Sequence, residues 1–125
     1  MLSYKLVKRA NPRDRQLPPK WYATPYNNGR KSISDISDDV ATASSLSRGD
    51  IQNVILSLVD QVPKYLLDGK SVELGELGIL RVSFSSEGVN TEDEFNASRI
   101  DSVKIIFTPG SRLKEKLARA HFEAV

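Results

Sequence analysis

The chain contains no cysteine among its 125 residues, which excludes disulfides, thiolate nucleophiles and cysteine-ligated zinc together. Its one histidine, His121, stands beside Phe122 near the C-terminus, without a carboxylate cluster at ligand spacing. It therefore reads as a surface or packing residue rather than a catalytic or metal-binding one. Apolar runs are too short to cross a bilayer, and Met1-Leu-Ser-Tyr-Lys-Leu-Val-Lys-Arg9 lacks the apolar stretch of a secretory signal, so a cytoplasmic protein with no membrane contact is expected. No proline falls between Pro63 and Pro109, and no internal repeat is evident. What is present, 39% apolar residues, suffices for a modest core in one domain, or in a small domain with an extension.

The net charge of +2 conceals a segregation. Residues 1–31 hold Lys5, Lys8, Arg9, Arg13, Arg15, Lys20, Arg30 and Lys31 against Asp14 alone, a local net of +7, while the remainder is net −5. Such an arm is a common footprint of phosphate binding, and equally describes a solvated basic hairpin.

Local patterning divides the chain. Tyr4 to Arg9 and Lys20 to Pro25 read as two strands of a hairpin, separated by a loop whose prolines forbid continued ladder pairing. Ser32-Ile-Ser-Asp35 has capping-box spacing before a helix with Ile33, Ile36 and Val40 on one face. Ser47-Arg-Gly-Asp50 repeats that spacing and opens a second helix whose Ile51, Val54, Ile55, Leu58, Val59, Val62 and Leu66 keep helical intervals. Pro63 interrupts the rhythm, predicting a kink near Asp60, and Asp68-Gly69 predicts the stop. Strands follow from Val72 to Phe84, bent between Gly75 and Gly78, and from Ile100 to Phe107. Between them, residues 85–98 form a polar, acidic excursion. Pro109-Gly110 introduces a short helix, Ser111 to His121, with Leu113, Leu117 and Ala118 inward and Arg112, Lys114, Lys116 and Arg119 mostly outward.

No enzymatic motif emerges. Glu92-Asp-Glu94 lacks the spacing of a calcium loop, and Gly75-Glu-Leu-Gly78 is too short for a phosphate loop and precedes no helix. No serine, lysine or aspartate sits in a recognisable nucleophile motif, so no catalysis, cofactor or small-molecule substrate is expected.

The order of Ser47-Arg-Gly-Asp50 opening a long helix, a glycine-punctuated strand pair from Val72 to Phe107, and Phe107-Thr-Pro-Gly110 opening a short basic helix resembles the HU/IHF family of bacterial DNA-bending proteins. The resemblance spans roughly Ile33 to Leu117. It implies an α+β fold: an intertwined homodimer with a helical base, a three-stranded antiparallel sheet and an arm. To this the chain adds an N-terminal β-hairpin, giving an expected partition into a basic extension at 1–31 and an HU-like domain at 32–125, with the acidic arm near 85–98. It also implies a nucleoid location, and double-stranded DNA as partner, bent by apolar wedges in the minor groove.

The family's usual contact residues are largely replaced. Its arm carries alternating basic residues where this chain has Ser83 and Ser85, and an intercalating proline where this tip reads Asn90-Thr-Glu-Asp-Glu94. Lysines flanking the Pro-Gly pair give way to Thr108 and Ser111, although Lys114 matches a basic family position. DNA contact is therefore expected from Lys5, Lys8, Arg9, Arg13 and Arg15 with Arg112, Lys114, Lys116 and Arg119, and dimerisation from Ile51, Ile55, Leu58, Val62 and Leu66. The other reading is a dimeric scaffold module whose acidic arm engages another protein. Trp21, Tyr22 and Tyr26 fit either, by stacking on bases or, as expected here, by sealing the hairpin onto the core.

Overall fold

The computed structural model describes all 125 residues and divides them into two compact units, one of Met1–Lys31 with Lys116–Val125, the other of Ser32–Glu115.

In the first unit, β1 (Leu2–Arg9) and β2 (Lys20–Pro25) pair antiparallel, with Tyr4 opposite Pro25, Val7 opposite Tyr22 and Arg9 opposite Lys20. The connecting loop is set by side-chain turns, Arg13 donating its backbone N–H to Asn11 Oδ1 at 2.9 Å and Gln16 to Asp14 Oδ1 at 3.0 Å. A strand that no sequence pattern announces, β6 (Phe122–Ala124), adds in parallel to the free edge of β1, so the sheet order is β2-β1-β6. Leu2 donates to the His121 carbonyl at 2.8 Å and Val125 to that of Tyr4 at 3.0 Å. The expected helix to His121 ends at Leu117 instead. A helix that short is marginal on its own, and open donors and acceptors along β1 give the last residues a better set of partners than another helical turn.

The second unit begins with α1 (Ile33–Thr42), whose Ser32 cap and Asp35 exchange hydrogen bonds at 3.2 and 3.0 Å, the reciprocal capping box that the spacing predicts. Ser47 caps α2 (Arg48–Leu67) by accepting from the Asp50 N–H at 3.1 Å. The helix passes through Pro63 as one 20-residue element and does not restart. Pro63 removes the helical partner of the Val59 carbonyl, and both residues are exposed. Gly69, at φ +78°, ends α2 with a paired closure, Gly69 N–H to the Leu66 carbonyl and Lys70 N–H to that of Tyr65.

β3 (Val72–Glu73), β4 (Gly78–Ser86) and β5 (Ile100–Pro109) form an antiparallel sheet in that order, with Leu80 opposite Phe107 and Val82 opposite Ile105. A bulge lies between Ser83 and Ser85, where Ser102 takes φ +55°. A single turn of 3₁₀ helix at Gly75–Leu77 makes the predicted bend, and α3 (Ser111–Leu117) follows the Pro109-Gly110 turn.

The core is small. Ile51 and Leu66 are the only buried apolar side chains, each 6% exposed, with Ser37 fully enclosed and Ile55 and Val62 half-buried. One stripe of α2 is thus covered by its own unit, and the neighbouring stripe of Val54, Leu58 and Tyr65 is not. The sheet face that carries Phe84, Val103, Ile105 and Phe107 is also exposed. Leu117 and Ala118, expected to point inward from α3, are exposed as well, because the helix ends there.

Candidate nucleic-acid interface

Alternation along β1 and β2 sorts the hairpin residues between two faces. The register places Lys5, Val7 and Arg9 on one face with Lys20, Tyr22 and Thr24, and Leu2, Leu6 and Lys8 on the other with Trp21, Ala23 and Pro25. Phe122, opposite Leu2, extends the apolar face, and Glu123, opposite Ser3, lies on the basic one. Of the five N-terminal cations expected to contact DNA, Lys5 and Arg9 therefore share a face. Lys8 points the other way, its Nζ 5.9 Å from the centre of the Trp21 ring. Arg13 and Arg15 project from the loop and are exposed.

The aromatic residues do not seal this unit. Trp21 is 63% exposed and Tyr22 46%, and Tyr26 is exposed too, contrary to the expected core role. Adjacent positions on a strand point to opposite faces, so no single layer covers both Trp21 and Tyr22. No helix packs within the unit to cover either one.

α3 is shared between the units. Arg112 and Lys114 belong to the second, Lys116 and Arg119 group with the hairpin, and Arg119 lies beyond the helix end. All four are exposed. Two further cations, Arg81 and Lys104, share the sheet face opposite the apolar one, at register positions facing Ile106 and Ser83. Sequence reasoning misses these and Lys20, since which face a strand residue occupies follows from a register set across long loops.

The acidic segment is not an extended arm. It folds through two 3₁₀ turns, Glu92–Glu94 and Ala97–Arg99, and closes at its base where Arg99 Nη1 meets Glu87 Oε2 at 3.2 Å and the Glu87 N–H meets the Arg99 carbonyl at 3.0 Å. Ser98 donates to Asn96 Oδ1 in the second turn. Glu92, Asp93 and Glu94 remain exposed and outside every ion pair, a tip that phosphates would repel.

No cluster of three or more His, Asp or Glu side chains is placed to hold a metal ion. No helix is long and apolar enough to cross a membrane. A concavity of the hairpin unit, about 520 Å³, is lined mainly by Leu2, Tyr4, Ala23, Pro25, Tyr26 and Phe122, with no charged side chain. It has the chemistry of a contact surface, without a convergent acid, base or nucleophile.

No curated protein sequence matches the chain. Among solved structures, it resembles a crystal structure from Bacteroides vulgatus provisionally described as a bacterial DNA-binding protein, with a TM-score of 0.67 at 20% identity. The likeness covers 99% of this chain and 47% of that one, so the chain spans about half the length of the structure it matches and shares its fold. The family described as an HU domain fused to a wHTH, Ig or glycine-rich motif matches residues 1–124, hairpin included, and the chain belongs to this HU-HIG family.

Proposed function

We propose that the protein is a non-enzymatic, weakly sequence-specific DNA-binding protein that acts as a homodimer through phosphate contacts. The observation that carries this reading is the hairpin: Lys5, Arg9 and Lys20 on one sheet face, with Arg13 and Arg15 exposed at the adjoining loop and Asp14 the only acid in the first 31 residues. Cations held on a strand pair match the regular charge of a duplex backbone and carry no base readout. Lys8, Arg112, Lys114, Lys116 and Arg119 supply further contacts, with Arg81 and Lys104 on the second sheet. The DNA-binding description of the Bacteroides vulgatus protein agrees with this reading. The partition into a basic extension at 1–31 and an HU-like domain at 32–125, and a nucleoid location, belong to the same proposal.

Dimerisation through α2 rests on the apolar surface a single chain leaves open. Within that face Ile51 and Leu66 already pack inside the protomer, so the second copy covers Leu58 with Val54 and Tyr65, adjoining Ile55 and Val62.

One observation favours a second reading, a dimeric scaffold that engages another protein: the exposed, unpaired carboxylates at the tip of residues 85–98. A single titration separates the two. Fluorescence anisotropy of the wild type against two unrelated duplexes at several salt concentrations should show similar affinities that fall steeply with salt. Replacing Lys5, Lys8, Arg9, Arg13 and Arg15 by glutamine should weaken both duplexes alike and flatten the log–log salt slope by about one unit per lost contact. Absence of wild-type binding at low salt rejects the DNA reading in favour of the scaffold.

A further inference from the structure

Among the paired residues of β1 and β2, the basic face holds one aromatic ring. Tyr22 lies opposite Val7 on the neighbouring strand, two residues from Lys20 along its own, and diagonal to Lys5 and Arg9. Diagonal and next-but-one neighbours on a sheet stand roughly 7–8 Å apart, so the ring sits amid three cations, each within reach of a phosphate beside it. The ring is nearly half exposed. Arg9, Lys20 and Tyr22, with Asn11, Leu17 and Pro18 of the loop, also line a notch of about 80 Å³ where the loop turns back against the sheet. The only acid on this face, Glu123, is opposite Ser3, toward the far end of β1 from Arg9. Trp21, 63% exposed, belongs to the reverse face, where Lys8 lies over its ring and its neighbours are apolar.

Phosphate neutralisation alone requires the cations but gives no use for an exposed ring among them. In a duplex the base faces are stacked on each other and closed to the protein, whereas in a single strand each base offers an open π-face. We propose that this face binds unpaired nucleotides, one base stacking on Tyr22 while Lys5, Arg9 and Lys20 hold the flanking phosphates. The inference rests on the nucleic-acid reading above and adds a strand-state preference to it. Duplex contact draws on the same cations without the ring, so Tyr22 separates the two modes.

The test is an anisotropy titration of the full chain at fixed salt with a labelled oligothymidine of about 16 nucleotides, a length within single-strand site sizes, and with a labelled duplex of equal length. Wild type should bind both probes. Tyr22→Ala should weaken oligothymidine binding roughly 5- to 100-fold, as expected for one lost base–aromatic stack, and leave the duplex within about twofold. Tyr22→Phe should retain single-strand affinity, and Trp21→Ala, on the reverse face, should not alter it. If circular dichroism shows that Tyr22→Ala is unfolded, Tyr22→Leu keeps an apolar side chain without the π-face and should show the same selective loss. Equal losses on both probes, or no loss on oligothymidine, overturn the inference. Duplex binding without any oligothymidine binding overturns it and leaves the DNA reading standing, whereas absence of both removes the two together.

Discussion

At the scale of the residue, the tightest constraint lies at Gly110. A Cβ there would overlap the carbonyl of Glu76, and the Gly110 N–H donates to the Leu77 carbonyl at 3.1 Å. The turn after β5 is thus pressed against the turn before β4. Backbone cannot yield as a flexible side chain does, so Gly110→Ala should cost about 2–3 kcal/mol by urea denaturation. Gly49 offers the contrast: it lies in the first turn of α2 with open space around its Cα, and Gly49→Ala should be neutral or stabilise by up to about 1 kcal/mol. An unchanged midpoint for Gly110→Ala would mean that the two turns do not meet. Ser37 is the one fully buried side chain, and its hydroxyl bonds only to the Ile33 carbonyl of its own helix, at 2.7 Å. Ser37→Ala should therefore change stability by less than about 1 kcal/mol, while Ser37→Leu overpacks the site. The sequence presents Gly110 as a turn glycine after proline, yet the reason for glycine is a close approach between segments more than 30 residues apart, which no local pattern records.

At the scale of the element, the caps and the stop at Gly69 follow from local spacing, and the end of α3 at Leu117 does not. Ser32→Ala and Ser47→Ala should each cost about 1 kcal/mol, because each serine satisfies a first-turn N–H. Pro63 gives α2 a motive to kink, and the helix runs through it as one element with the residue on its exposed side. Pro63→Ala should accordingly raise the unfolding midpoint, with a gain of about 2 kcal/mol in the free energy of unfolding once the gain in unfolded-chain freedom is set against the restored hydrogen bond. A lower midpoint would show that the proline shapes a contact α2 requires. For the segment near 85–98, replacing Glu92, Asp93 and Glu94 by their amides should leave the melting profile in place and, on the DNA reading proposed above, strengthen duplex binding, since three unpaired negative charges that repel phosphates are removed. Weaker binding at equal stability would make that tip a specific contact.

At the scale of the whole molecule, the second unit leaves apolar surface open: Val54, Leu58 and Tyr65 on α2, and Phe84, Val103, Ile105 and Phe107 on the sheet. Sedimentation equilibrium should find a dimer, and the urea midpoint should rise with protein concentration, as linkage to association demands. Val54→Asp is the sharpest variant. At 61% exposure in the single chain it should be nearly silent in a monomer and should disrupt a dimer that buries this stripe. A folded wild-type monomer at tens of micromolar would falsify the dimer, and so would a urea midpoint that does not move with concentration.

What the sequence by itself determined is what depends on neighbours within a turn or two: the helix starts at Ser32 and Ser47, the closure at Asp68-Gly69, the bend at Gly75, the hairpin strands and the segregation of charge. Those signals are written in residues three or four apart, and in HU-like order they carry the fold from α1 to α3. The tertiary structure alone decided the strand at Phe122–Ala124, the exposure of Trp21 and Tyr22, and the closure of the acidic segment by Arg99 on Glu87. It also decided which cations share a face. Each of these depends on pairing between distant segments, where a shift of one residue in register turns every side chain to the opposite side, and such a register is settled by the packing of the folded chain.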